Sequence, residues 1–352
     1  MKLFNRISLL CLVACLSLTA MAQKPRLHIL ATGGTIAGAG VSATTSNYTA
    51  GQLAIGTLLD AVPQINDLAE VTGEQIVNIG SQDMSDEVWL TLAHRINELF
   101  DNDETDAVVI THGTDTMEET AFFLSLTIRQ PKPVVLVGSM RSSTAMSADG
   151  PLNLYNAAVT ACSPESAGRG VLVVMNGQIL DAATITKTHT LDVATFKALN
   201  AGPIGYVYNR EAHYVMNSGL PKAEQRIVFD VSNATTLPKV GIVYSYSNVE
   251  ADMVEPMLEN GYQGIVHAGV GNGNIHKNLF PVLQKARQNN ILVVRSSRLP
   301  SGPTTLDNEV DDNANQFVAS QTLNPQKARI LLQLAILSGA DWQKTQEYFN
   351  LF

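Results

Sequence analysis

Two threonines set into glycine-rich turns are the residues of this chain best placed for chemistry. Ala31-Thr32-Gly33-Gly34-Thr35-Ile36-Ala37-Gly38 follows the apolar run Leu27-His28-Ile29-Leu30, and Ile110-Thr111-His112-Gly113-Thr114-Asp115-Thr116 follows Ala107-Val108-Val109. Glycine permits positive φ and close backbone approach, so a hydroxyl in such a turn meets a ligand without crowding. Thr35 can act as a nucleophile when a neighbour removes its proton. Successive backbone N–H groups of the same turn can bind a developing oxyanion. Two such turns in one chain point to hydrolysis of an acyl group. Taken alone, the first motif reads equally well as a tight strand-to-loop turn.

In the second motif, Asp115 can take a substrate ammonium, and Thr114 can serve as a second activated hydroxyl or position a water. The same residues can also cap the following helix. His112 is left out, because a lone histidine at a strand end is more often structural. Lys187, in Thr184-Ile185-Thr186-Lys187-Thr188, is either a partly desolvated general base or an exposed strand lysine. Gly269-Val270-Gly271-Asn272-Gly273-Asn274 has the wrong spacing for a dinucleotide fingerprint and reads as a polar binding loop.

The elements that must carry these motifs alternate strand with helix, the pattern of a parallel α/β protein. Strands are expected at 26–32, 106–111, 133–138 and 170–176. A helix is expected over 85–100, with Ser85 as N-cap, and another over 116–129, where Thr116 and Glu119 form a capping box. The pattern weakens between about 200 and 238. A second unit follows, with strands at 239–246, 262–268 and 291–296 and helices at 250–260, 276–289 and 325–338. Ligands of open parallel sheets sit beyond the carboxyl ends of the strands, which is where both threonine turns and the loop after His267 fall.

The expected fold is therefore two α/β domains with mainly parallel sheets, the N-terminal one larger. The division is a signal peptide at 1–22, an N-terminal domain at 23–215, a linker at 216–238 and a C-terminal domain at 239–352. A length of 352 residues fits two domains. A hydrophobic content of 45% with 16% charged residues is that of a packed globular protein. The net charge of −9 has no basic cluster to set against phosphates and excludes nucleic-acid binding.

Lys2 and Arg6, the apolar stretch from Ile7 to Leu18, and Ala20-Met21-Ala22 make a secretory leader too short to span a bilayer. The expected location is periplasmic or secreted after cleavage near Ala22. Leu12-Val13-Ala14-Cys15 offers the alternative of lipid attachment at Cys15. Of Cys11, Cys15 and Cys162, only Cys162 survives cleavage, so an internal disulfide or a cysteine metal site is not expected.

Together these motifs resemble the bacterial type II L-asparaginases, the exported branch of the asparaginase and glutaminase family. Ser46-Asn47-Tyr48-Thr49, Gly80-Ser81-Gln82-Asp83-Met84, Met146-Ser147-Ala148-Asp149-Gly150-Pro151 and Glu309-Val310-Asp311-Asp312 complete the family's ordered set. The resemblance implies an L-asparagine amidohydrolase that also acts to a lesser degree on L-glutamine. It implies that Thr35 attacks the amide carbon, with Tyr48 and Glu309 beside it, and that Lys187 tunes Thr114. Asp115 would hold the α-ammonium, and Ser81 and Gln82 the α-carboxylate and α-amino end. Asn274 and Glu309 would arrive from a neighbouring subunit of a homotetramer. No cofactor or metal is implied, and the disulfide common in this branch has no cysteines here. A balanced glutaminase-asparaginase is the nearest alternative, and an exported amino-acid-binding protein is the alternative outside the enzymes.

Overall fold

The computed structural model describes residues 23–40, 48–49, 55–217 and 226–352, with only the backbone at 39–40 and 48–49. The leader read at 1–22, with Cys15 in it, and part of the linker lie outside the described residues.

The first sheet has eight strands in the order Glu211–Tyr214, Gly205–Tyr208, Gln178–Asp181, Val171–Met175, Val134–Val137, Ala107–Thr111, Arg26–Gly33 and Glu70–Ile79. The five from Val171–Met175 to Glu70–Ile79 run parallel, and the other three are added by successive antiparallel pairings. Ala107–Thr111, Val134–Val137 and Val171–Met175 are buried at every position, as apolar strands covered on both faces must be.

Arg26–Gly33 lies between the next two strands of this sheet in chain order, Glu70–Ile79 and Ala107–Thr111. The chain therefore reverses its winding direction between Arg26–Gly33 and Ala107–Thr111. Such a switch point leaves a crevice beyond the carboxyl ends of the two strands. Both threonine turns leave the sheet there. The register sets Ala31 beside Thr111 and Gly33 beside Ile79, which levels three strand ends.

The smaller second sheet is wholly parallel, in the order Val240–Tyr244, Gly264–Gly269, Leu292–Ser297 and Val318–Ala319. The two units share a core in which Leu30, Ile110, Phe122 and Phe123 belong to one cluster with Val266, Val294, Leu331 and Leu334. Helix Pro325–Leu337 of the second unit packs on helix Met117–Ser125 of the first, and Phe122 meets Phe352 edge to face at 5.4 Å.

Several elements differ from expectation for local reasons. The weak stretch after residue 200 contains the hairpin Gly205–Tyr208 and Glu211–Tyr214, turned by Asn209 and Arg210 at φ 53 and 66. Two successive positive φ values make the tight hairpin turn whose twist matches its strands. The helix expected at 250–260 is split into Ala251–Met253 and Glu255–Glu259, where proline occupies the first turn. The helix expected at 276–289 begins only at Phe280, again with proline in the first turn. The helix expected at 116–129 is Met117–Ser125, because its end tightens into Leu126 N–H to Phe123 C=O and Thr127 N–H to Leu124 C=O bonds.

Candidate active site

The two threonine turns are locked together through backbone. Gly33 and Gly34 adopt φ of 102 and 80, which L side chains rarely reach. A Cβ on Gly34 would fall 2.3 Å from the Gly113 nitrogen, and one on Gly113 would fall 2.5 Å from Ser81 Oγ. Gly34 N–H donates to the Ile79 carbonyl at 2.9 Å, and Thr32 Oγ1 donates to the Thr111 carbonyl at 2.9 Å. The strand ends carrying Thr35, Ser81 and Thr114 are thus fastened side by side. Thr35 opens the short 3-10 turn Thr35–Ala37 and is 6% exposed; Thr114 is 5% exposed.

Lys187 stands in a two-residue strand, Thr186–Lys187, paired antiparallel with Phe196–Lys197. Its Nζ donates to Thr114 Oγ1 at 2.9 Å and to Asp115 Oδ1 at 2.6 Å. It is neither an exposed strand lysine nor isolated: it bridges the hydroxyl and the carboxylate of the second motif. Asp115 is the open side of this trio, its side chain 59% exposed against 18% for Lys187. An open pocket of about 530 Å³ lies over Asp115, Lys187, Thr188, His189 and Thr190.

Ser81 is buried and faces the same loop. Its Oγ accepts from Asp115 N–H at 3.0 Å, and its carbonyl accepts from Thr116 Oγ1 at 2.8 Å. Gln82, next along the short turn Ser81–Asp83, is exposed and donates to Asp83 Oδ2 at 3.3 Å. Thr116 is therefore not the side-chain cap of a capping box: its hydroxyl goes to Ser81, and no side-chain cap bond is made at this helix start.

His112 is fully buried, with Nδ1 at 2.6 Å from the Gly113 carbonyl and Nε2 at 2.9 Å from Thr120 Oγ1. Burial pushes its pKa down to about 4, as it does for His267 in the second sheet. Unfolded imidazole titrates near 6.5, so each ring stabilises the fold above that pH and ceases to as pH falls toward 4. Glu119 acts oppositely. Burial, and then the neighbouring Glu118, push it up to about 7, and its contribution is lost as pH rises from the ordinary carboxylate range through 7. With these two histidines and His28, also lowered by burial, against one carboxyl, a net loss of about 3 kcal/mol or more is expected between pH 7 and 4. Denaturant midpoints across that window test this; a flat series would refute it.

Asn274 and Glu309 meet in the loops of the second unit, where Asn274 Nδ2 donates to Glu309 Oε2. Their support is a buried ion pair. Arg295 donates to both Asp312 oxygens, Nε at 2.5 Å and the second bond at 2.6 Å, with the two side chains 1% and 0% exposed. Arg295 also donates to the carbonyls of Asn272 and Thr305, both at 3.0 Å, tying the glycine loop to the loop before Glu309. Asn274 Oδ1 is buried without a hydrogen-bond partner. Tyr48 is described only as backbone, in a short antiparallel pair with Gly40, and its side chain lies outside the described residues. Cys162 is a free, half-buried thiol whose pKa burial raises to about 11. Among the described residues no group of three or more His, Cys, Asp or Glu side chains is placed to hold a metal ion.

Sequence reasoning missed Glu118, which is 4% exposed and accepts the Lys187 N–H at 2.7 Å. An acidic residue in a helix's first turn reads as a solvated partner of the helix dipole. The available signal was its place on the apolar stripe with Ala121, Phe122 and Ser125, three, four and seven residues on.

Residues 26–219 match the family described as asparaginase, N-terminal, and residues 239–349 match that of the glutaminase/asparaginase C-terminal domain. The chain is 56% identical over 352 residues, the full length of both proteins, to L-asparaginase 2 of Escherichia coli. It is 54% identical over 338 residues, 96% of this chain and 95% of the relative, to a probable periplasmic L-asparaginase of Haemophilus influenzae. A crystal structure of a probable cytoplasmic L-asparaginase from Campylobacter jejuni is similar at a TM-score of 0.90 and 47% identity, covering 94% of this chain and 100% of that one.

Proposed function

Since the chain belongs to the asparaginase and glutaminase family of amidohydrolases, we propose that it hydrolyses L-asparagine to L-aspartate and ammonia, with lesser action on L-glutamine. Thr35 Oγ attacks the side-chain amide carbon, and its proton passes through Tyr48 toward the leaving nitrogen. Backbone N–H groups of the glycine turn bind the oxyanion, and protonation lets the nitrogen leave as ammonia. Water then cleaves the threonine ester and restores the hydroxyl.

The observation that carries this reading is the contact of Lys187 Nζ with both Thr114 Oγ1 and Asp115 Oδ1. A site built only to hold an amino acid has no use for a lysine turned onto a buried hydroxyl. Asp115, the exposed member, takes the α-ammonium. That ammonium competes with Lys187 for the carboxylate and leaves the amine facing Thr114. Ser81 and Gln82 receive the α-carboxylate and α-amino end.

Asn274 and Glu309 complete the site of a neighbouring copy in a homotetramer, a reading that rests on the family the chain belongs to. The domains divide at the 216–238 linker. The leader is removed near Ala22 for export, in keeping with the periplasmic name of the Haemophilus relative, or is lipidated at Cys15.

Ammonia release by the purified protein, with L-asparagine and L-glutamine run side by side, tests the reading. Strong release from asparagine and weaker release from glutamine is the expected result. Discrimination by one methylene is worth about 1–3 kcal/mol of pocket fit. Equal rates would make it a balanced glutaminase-asparaginase. Tight binding without ammonia would leave an amino-acid-binding protein.

A further inference from the structure

Lys187 reaches Thr114 from a strand too short to hold it. Thr186–Lys187 has one partner strand, itself of two residues. The Lys187 backbone N–H is held instead by Glu118 Oε2 at 2.7 Å. Glu118 stands in the first turn of helix Met117–Ser125, directly after the loop that carries Thr114 and Asp115. One carboxylate therefore fixes the lysine's backbone relative to the loop that its amine must touch.

The other oxygen of Glu118 faces the second α/β unit. Oε1 accepts from Asn324 Nδ2 at 3.1 Å and from Gln326 Nε2. Asn324 Nδ2 also donates to Thr186 Oγ1 at 3.3 Å, and Asn324 Oδ1 accepts the Lys327 N–H at 3.1 Å. The buried Lys327 Nζ donates to the carbonyls of Ala183, at 2.9 Å, and Ile185, the residues that lead into the strand. Every group that Glu118 meets here is an N–H donor, so it serves as an acceptor at both oxygens.

We propose that Glu118 is the positioning residue for Lys187, and that the Asn324–Lys327 turn, acting through it, lets the second unit set the Lys187–Thr114 contact. This rests on the catalytic reading of Lys187. The Glu118 bond is the one that ties the Lys187 main chain to the helix following the Thr114 loop, so its loss lets the amine shift relative to that loop, and a displacement of about 1 Å can cost about 100-fold in rate.

The test compares Glu118→Ala, Glu118→Gln and the double variant Asn324→Ala/Gln326→Ala, each checked for a folded melt. In Glu118→Ala, kcat on L-asparagine is expected to fall about 10- to 100-fold with KM within about threefold, because geometry rather than binding is lost. Glu118→Gln should recover most of that rate. Its amide oxygen still accepts the Lys187 N–H, and the amide of Gln326 can turn to meet its NH2, while Asn324, fixed by its bond to the Lys327 N–H, gives up one contact. The double variant should fall in the same direction by less. A folded Glu118→Ala protein with kcat within about twofold of the parent would overturn the proposal. So would a Glu118→Gln protein as impaired as Glu118→Ala. If Glu118→Ala does not fold, the double variant decides, and an unchanged kcat there overturns it. Lys187→Met is run alongside. Activity retained in that variant refutes the catalytic reading itself, whereas activity lost there but kept in Glu118→Ala refutes only the positioning role.

Discussion

Thr35→Ala is expected to yield a folded protein that binds L-asparagine and does not turn it over. The substitution removes a hydroxyl and a methyl from a residue that is 6% exposed at the start of a 3-10 turn. The backbone of that turn is untouched, including the Gly38 N–H bond to the Thr35 carbonyl at 2.8 Å. The left-handed geometry before it belongs to Gly33 and Gly34. The substrate contacts assigned to Asp115, Ser81 and Gln82 remain. Removing a nucleophile costs about three orders of magnitude in kcat or more, while binding survives. Ammonia release under single-turnover conditions and a binding titration with L-asparagine check this together. A rate within about tenfold of the parent would reject Thr35 as the attacking group.

Lys187→Met should be nearly as severe by a different route. Methionine keeps much of the stem and loses the ammonium that donates to Thr114 at 2.9 Å and Asp115 at 2.6 Å. The Thr114 hydroxyl is left in a buried turn without the Lys187 donor. The expected fall in kcat is about 10²- to 10⁴-fold, the range for a lost proton-transfer group. The backbone bond to Glu118 is made by the main chain and persists, so the strand should stay in place. Size-exclusion profiles and melts of both proteins are the control. A variant that falls apart would make Lys187 a structural residue, and one of normal activity would remove it from the mechanism.

What was legible in the chain follows from how strongly burial marks each segment. Ala107–Thr111 and Val134–Val137 are buried throughout and apolar but for Thr111, and both lie within the expected spans. Glu70–Ile79 was not expected as a strand. It is the edge of the sheet, half-exposed along its length, and its Glu, Thr, Gly and Gln residues carry no apolar run. Its omission hid the winding reversal that brings Ser81 to the crevice. The strand holding Lys187 is two residues long, below anything periodicity can register. Lys187 was singled out by its neighbours, Thr184 to Thr188, and by resemblance. Thr116 and Glu119 have capping-box spacing, but the Ser81 carbonyl, 35 residues away, takes the hydroxyl. Spacing along a helix is local information, and this bond is not.

The direct meeting of Gly34 and Gly113 has a mechanical consequence. Most neighbouring loops are kept apart by side chains, which change rotamer on a picosecond to nanosecond scale and give the gap some slack. Here there is no spacer, since even a Cβ on Gly34 would sit 2.3 Å from the opposing nitrogen. The two loops behave as one part resting on a hard stop. Heat or a distant substitution can carry that part sideways, but cannot change its internal dimension without pulling main chain from main chain. The closest approach of the two turns is thus set by main chain against main chain, whatever side chains line the walls of the pocket.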